Sequence, residues 1–406
     1  MAAGRIPPLL LAQSDFLIQS VKNEIEGKVV AKMNLDEKKL TASFLWIAII
    51  SSFGFAQYGY NIWVVYSPSV LIRDVYQLDP EGVEVTNRDP QHMLLIMAFS
   101  MSMFPIGAVA GALLVGPMVD KFGRKGALVL NSFCSTIACL FMVGANMARS
   151  FGFIMFSRFL MGITMGVYSS TVPLYLTEIS PVDSRGIIGM LPHFFLVLGV
   201  LIAQILAFRE IMGNAEGWPI VMSLSGILAL FQSILMPAFP ESPRYLLIVK
   251  KDEEQARQAL KQLRFNQDVE GEIEEIWEEN AHEVEDEDMN ALKLVCYQKL
   301  RWQVLSIIIL MAGQQLSGVN SVYYYTERVY LSTNIGSENV RYISASSSIL
   351  ILIGMGFALT IVDSKGRKVL LLVGFAICSV LCIVLTVMIE LQVGRAKSQA
   401  NTYFHA

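Results

Sequence analysis

Long uncharged runs constrain this chain more than any other feature. Between Lys39 and Arg73 it carries no Asp, Glu, Lys or Arg, and such runs recur. A helix needs about 20 apolar residues to cross a hydrocarbon core. Stretches of that length stand near residues 43–66, 92–119, 127–148, 151–177, 187–208, 218–239, 303–326, 342–362 and 369–389. Their apolar character runs around the helix rather than along one stripe, as suits a span in lipid better than a half-buried helix. Composition agrees, because 54% of the 406 residues are hydrophobic and only 16% are charged. Soluble domains keep about a quarter of their residues charged. The sequence therefore predicts an all-α polytopic membrane protein of about nine spans, with the lipid bilayer as its first partner.

Polar segments divide the spans. Residues 1–42 form an N-terminal extension, 43–239 a six-helix bundle, 240–302 a helical linker, 303–390 a partial second bundle of three spans, and 391–406 a divergent tail. The linker holds 16 of the 35 acids, and its EEQARQALKQLR places acids before bases at helical spacing, which supports short surface helices. Orientation follows from Lys and Arg. Lys121, Arg124 and Lys125 follow the second span, Lys365, Arg367 and Lys368 follow the eighth, and nine more follow the sixth. Alternating spans put all of these on one side, which is cytoplasmic by the positive-inside rule, together with the N-terminus. Nine crossings leave Arg395 and Lys397 on the disfavoured face. Cys134, Cys139, Cys378 and Cys382 fall in spans and Cys296 in the linker, as small buried hydrophobes rather than a disulfide framework. The PLLLA run at 8–12 is shorter than a signal-peptide core.

One charged turn occurs twice, as DKFGRK at 120–125 and DSKGRK at 363–368. Equivalent turns at equivalent places imply a parallel repeat, the plan of transporters built from two halves. The glycine permits a tight reversal. Asp120, Arg124, Asp363 and Arg367 are then available to helix ends and to neighbouring charges. Glu178 and Arg185 straddle Pro181 at the cytoplasmic end of the fourth span, within reach of Arg124, and Glu241 and Arg244 open the linker in PESPRY. A lone interfacial ion pair is worth about 0–1 kcal/mol. A cluster formed in one conformation and broken in another biases an equilibrium instead, and these eight residues are the expected conformational network. The pairs Gly107/Gly111 and Gly162/Gly166 put small residues one turn apart, a signal of close helix contact.

The seventh stretch reads GQQLSGVNSVYYYTERVY. Gln314, Gln315, Asn320 and Tyr324 are uncharged hydrogen-bonding groups in an apolar helix, loosened at Gly318. Polar side chains at membrane depth are costly and face protein or a water-filled cavity. Amides both donate and accept, which suits a neutral polyol, although the same amides can serve as interhelical glue. No acid or base lies among them within the span 303–326, so no catalytic residue is expected. Nor is there a catalytic triad, a metal cluster or a phosphate loop, and the GRK turns lack the strand of a nucleotide site. The chain is expected to be no enzyme and to need no cofactor, metal or nucleic acid.

The motifs D-x-x-G-R-K, P-x-Y-x-x-E-x-x-P-x-x-x-R-G, PESPRYL and Q-Q-x-S-G-x-N-x-x-x-Y-Y occur here in order. In these the chain resembles the facilitative sugar transporters of the major facilitator superfamily, most of all the fructose-type members, as QYGYN at 57–61 illustrates. The resemblance implies a major facilitator fold with a complete N-terminal half and a C-terminal half lacking its last three spans. It implies plasma-membrane uniport of a hexose, fructose favoured over glucose, by alternating access, and leaves room for a homo-oligomer. The implied sugar contacts are Tyr58, His193, Gln314, Gln315, Asn320, Val322, Tyr323 and Tyr324. His193 stands where the family usually has glutamine and can still hydrogen-bond. Ile351 stands for an asparagine and cannot, and Val322 stands where fructose transporters usually have isoleucine. Asn61 replaces the aspartate of proton-driven relatives, which favours downhill flux. The alternative is a truncated, non-transporting variant that binds or interferes with the full-length transporter.

Overall fold

The computed structural model describes residues 42–64, 90–148, 151–208, 210–214, 217–264, 268–283, 300–318 and 337–404. In chain order, α1 spans Ala42–Trp63, α2 Pro90–Ala148, α3 Phe151–Ile179 and α4 Arg185–Leu206. The sixth crossing is broken into α5 (Trp218–Ser223), α6 (Ser225–Leu235) and a 3₁₀ turn at Met236–Ala238. On the polar side lie a π-helical turn at Tyr245–Val249, α7 (Glu253–Leu263) and α8 (Glu270–Glu283); then come α9 (Arg301–Leu316), α10 (Ser337–Lys365) and α11 (Arg367–Phe404). The described residues include no strand.

Six described stretches are long and apolar enough to cross a membrane: Ala98–Gly144, Gly152–Ile179, Arg185–Leu206, Trp218–Ala238, Val340–Val362 and Arg367–Leu391. The first comprises two crossings, because α2 breaks at Gly123, where φ is 78° and ψ is 175°. Gly366, between α10 and α11, has φ 83°. The repeated charged turn thus also repeats a glycine of positive φ at the same offset in both copies.

Two expectations change. Gly318 does not loosen a continuing helix; α9 ends at Leu316, Ser317 caps it, and Gly318 follows with φ 78°, a common way to leave an α-helix. The tail is not a separate segment at the backbone level, since α11 runs unbroken from Arg367 to Phe404.

The first six crossings pack closely. Where the first limb of α2 crosses α3, a Cβ on Gly107 or Gly162 would lie 2.2 or 2.1 Å from the carbonyl oxygens of Phe159 and Phe104. Only hydrogen fits there, so the glycine pairs set the distance between the two helices. Tyr168, Tyr175, Met161, Met165 and Leu176 of α3 are fully buried, which makes α3 the centre of the bundle. α10 joins α4 at one end: Arg341 Nη1 donates to the Ala207 carbonyl at 3.0 Å, and Tyr342 packs on Phe208 at 4.7 Å. In contrast, α9 has no buried residue, and neither do the described side chains of α11. Both present apolar side chains outward, as lipid-facing helices do.

Candidate functional site

Three of the eight expected charges, Arg124, Glu178 and Glu241, come together where α2, α3 and the segment 240–245 meet. Arg124 grips Glu178 with a fork: Nε lies 2.9 and 3.1 Å from the two carboxylate oxygens, and Nη2 lies 3.0 Å from Oε1. Only 14% of the Arg124 side chain and 9% of the Glu178 side chain remain exposed, so the pair is largely removed from water. Such a pair holds when its remaining lone pairs and protons are satisfied. Ser242 supplies one of these bonds by donating its hydroxyl to Glu178 Oε2 at 2.5 Å, and the Tyr245 ring lies 4.9 Å beneath the guanidinium. Arg124 Nη1 is buried without a hydrogen-bond partner among the described residues.

Glu241 has a different task from the ion pairing expected of it. Its Oε1 accepts from the backbone N–H of Lys125 at 2.8 Å and of Ser242 at 2.9 Å. Lys125 opens the limb of α2 that follows Gly123, so the carboxylate sits at a helix N-terminus, where free N–H groups and the helix dipole both favour an anion. A Cβ on Gly123 would lie 2.4 Å from Glu241 Oε2. Glycine is needed here twice over, once for φ and once for this carboxylate. Tyr175 secures the same segment by donating its hydroxyl to the Pro240 carbonyl at 2.8 Å.

Arg185 and Arg244 do not join the Arg124–Glu178 pair directly. Both reach Glu279 of α8, at 3.6 and 3.0 Å. Arg264 at the end of α7 pairs with Glu272 at 2.9 Å and donates to the carbonyl of Ile179, the last residue of α3. Together these side chains line a cavity of about 290 Å³ beneath α3. Farther out, Arg257 bridges Glu253, Glu254 and Glu270, and its guanidinium holds the Glu270 carboxyl below the usual carboxylate range. Asp120 is exposed and only its carbonyl takes part, accepting from the Tyr245 hydroxyl at 3.4 Å. Arg367 is exposed, and the Asp363 side chain lies outside the described residues.

Two expected sugar contacts fall together on the first half. Tyr58 is half-buried on α1 and His193 is exposed on α4, and the Phe55 ring lies between them, 6.3 Å from Tyr58 and 5.5 Å from His193. Phe104 adds a further ring 6.1 Å from Tyr58. Phe55 and Phe104 are buried, so they back the surface rather than line it; what is accessible is the Tyr58 ring and the His193 imidazole, which offer one aromatic contact and hydrogen bonds to hydroxyls. Gln314 and Gln315 are exposed on the last turn of α9, and Ile351 is exposed on α10. Asn320, Val322, Tyr323 and Tyr324 lie outside the described residues. Asn61 is fully buried; its amide donates to the Gln57 carbonyl at 2.9 Å and its own carbonyl accepts from Arg158 at 2.8 Å.

Residues 47–404 match the family profile described as "Sugar (and other) transporter". The chain is 43% identical over 357 residues to solute carrier family 2, facilitated glucose transporter member 5 of Ovis aries, covering 88% of this chain and 71% of that one. It is 43% identical over 360 residues to the Homo sapiens member 5, covering 88% and 72%, and 41% identical over 358 residues to the Mus musculus member 7, covering 88% and 70%. Among solved structures it is similar to the proton:xylose symporter XylE bound to 6-bromo-6-deoxy-D-glucose. There the TM-score is 0.68 at 21% identity, over 81% of this chain and 71% of that one, a likeness of fold. The fold is that of the major facilitator superfamily, and the chain belongs to the sugar transporter family.

Proposed function

We propose that the chain carries a hexose across the plasma membrane by uniport, with fructose favoured over glucose and its N-terminus in the cytoplasm. The observation that carries this is the placing of Tyr58 and His193 together over the buried Phe55 ring, an aromatic side chain beside a hydrogen-bonding one with no carboxylate among them. Relatives at 43% identity are facilitated transporters, which supports a transporter and not an enzyme. Gln314, Gln315, Asn320, Val322, Tyr323 and Tyr324 supply the opposing contacts in this reading. Alternating access follows if the cluster around Arg124 and Glu178 forms in one state and opens in the other.

Asn61 supports uniport over proton coupling. A symporter needs a group that takes up and releases a proton at depth, and an amide cannot. Uptake of labelled hexose by proteoliposomes holding this chain tests the reading. Saturable uptake that prefers fructose and ignores an imposed pH gradient is expected. Folded protein that fails to take up or bind any hexose overturns it.

A further inference from the structure

α1 is fastened to the bundle by a polar seam separate from both the Tyr58–His193 surface and the charged turn. Gln57, fully buried, donates from its amide nitrogen to Gln232 Oε1 at 3.0 Å and accepts from the Ser135 hydroxyl at 2.9 Å. Gln232, equally buried, also reaches the Ser51 carbonyl at 3.3 Å. The seam therefore ties α1 to the second limb of α2 and to α6. Within α1, Gln57, Tyr60 and Asn61 fall on one face at helical spacing, and Phe55, Tyr58 and Ile62 fall on another.

Apolar contact is non-directional and tolerates a helix turning about its axis. Buried amides do not, because each donor or acceptor that loses its partner carries a desolvation penalty. Successive residues stand about 100° apart on a helix, so turning α1 by one position would put Tyr58 where Gln57 now meets Gln232. We infer that Gln57, paired with Gln232, is a positioning residue: it fixes the rotation of α1 so that Tyr58 faces the surface shared with His193. This goes beyond the hexose reading, and only the uptake arm of its test rests on that reading.

The full chain carrying Tyr58→Cys is reconstituted into proteoliposomes and treated with a water-soluble maleimide. The Tyr58 parent serves as the blank for the five native cysteines. Adding Gln57→Met is expected to slow labelling at position 58 about five-fold, the ratio that one net hydrogen bond supports. Because the single variant leaves Gln232 Oε1 and the buried Ser135 hydroxyl unpaired and can unfold, Gln57→Met with Gln232→Met is measured as well, in a Ser135→Ala background. That pair replaces both amides by apolar side chains of similar shape, which is close to neutral for folding. Slowed labelling in the double variant, at an unchanged unfolding midpoint, supports the inference. Unchanged labelling at an unchanged midpoint makes the seam plain helix glue and overturns it. In the Tyr58 background the double variant should also raise the hexose KM several-fold with little change in maximal rate. A parent that takes up no hexose counts against the hexose reading and leaves the labelling result standing.

Discussion

The two charged turns share a sequence pattern and a glycine of positive φ, yet they sit in different surroundings. At 120–125 the glycine faces a carboxylate, the arginine is forked onto Glu178, and the segment 240–245 packs across both. At 363–368 nothing among the described residues lies within 4 Å of a Cβ built on Gly366, and Arg367 is exposed. The motif therefore encodes a reversal of the chain. Whether the reversal also holds the structure together depends on a partner from elsewhere, here Glu178 and PESPRY.

Matched substitutions sharpen the contrast. Arg124→Ala strands Glu178 in a largely water-free site and should destabilise the protein by about 3 kcal/mol. Arg367→Ala should stay within about 0.5 kcal/mol, as surface changes do. Unfolding in mixed micelles measures both, and equal costs would erase the distinction between the turns. Gly123→Ala comes next. With φ 78° and ψ 175° the residue lies in a region open essentially to glycine, which costs an alanine about 1–3 kcal/mol, and the methyl also displaces a carboxylate from two N–H donors, for about 3 kcal/mol in all. Gly366→Ala should show only the backbone part, and the difference between the two should vanish in a Glu241→Ala background.

The smallest effect lies on the polar helices. Arg257 depresses the Glu270 carboxyl. A carboxyl lowered by folding stabilises the fold above the ordinary glutamate range and loses that contribution as pH falls through its folded value. Arg257→Gln should therefore remove a small contribution at neutral pH and leave the acid end unchanged, so that the slope of the stability profile below about pH 4–5 flattens. A profile that keeps its slope would show that Glu270 is not the group responsible.

Much of this was legible in the sequence, because hydrocarbon imposes its length and polarity on each span. Every expected stretch overlaps a helix, and Arg124 and Glu178 meet although 54 residues separate them. The DKFGRK motif and the Glu178–Pro181–Arg185 spacing announced that meeting. Glu279 was not legible: it is one acid among sixteen in a segment whose charges all suit a solvated surface, and nothing local marks it as the partner of Arg185 and Arg244. Glu241 was found, but in the wrong role, because capping a helix in another part of the chain leaves no periodicity to read. The glycine of QQLSG looked like a soft point within a helix, since a glycine that ends a helix and one that bends it are the same letter.

Glu279 also sets an order of events. One carboxylate anchors the start of α4 and the chain just beyond the sixth crossing, so the two cannot separate by much more than the width of a water molecule with both tethers fast. The tether to Arg185 is already the longer, at 3.6 Å against 3.0 Å. Any motion that spreads these two crossings should slip that mooring first and leave α8 riding with Arg244.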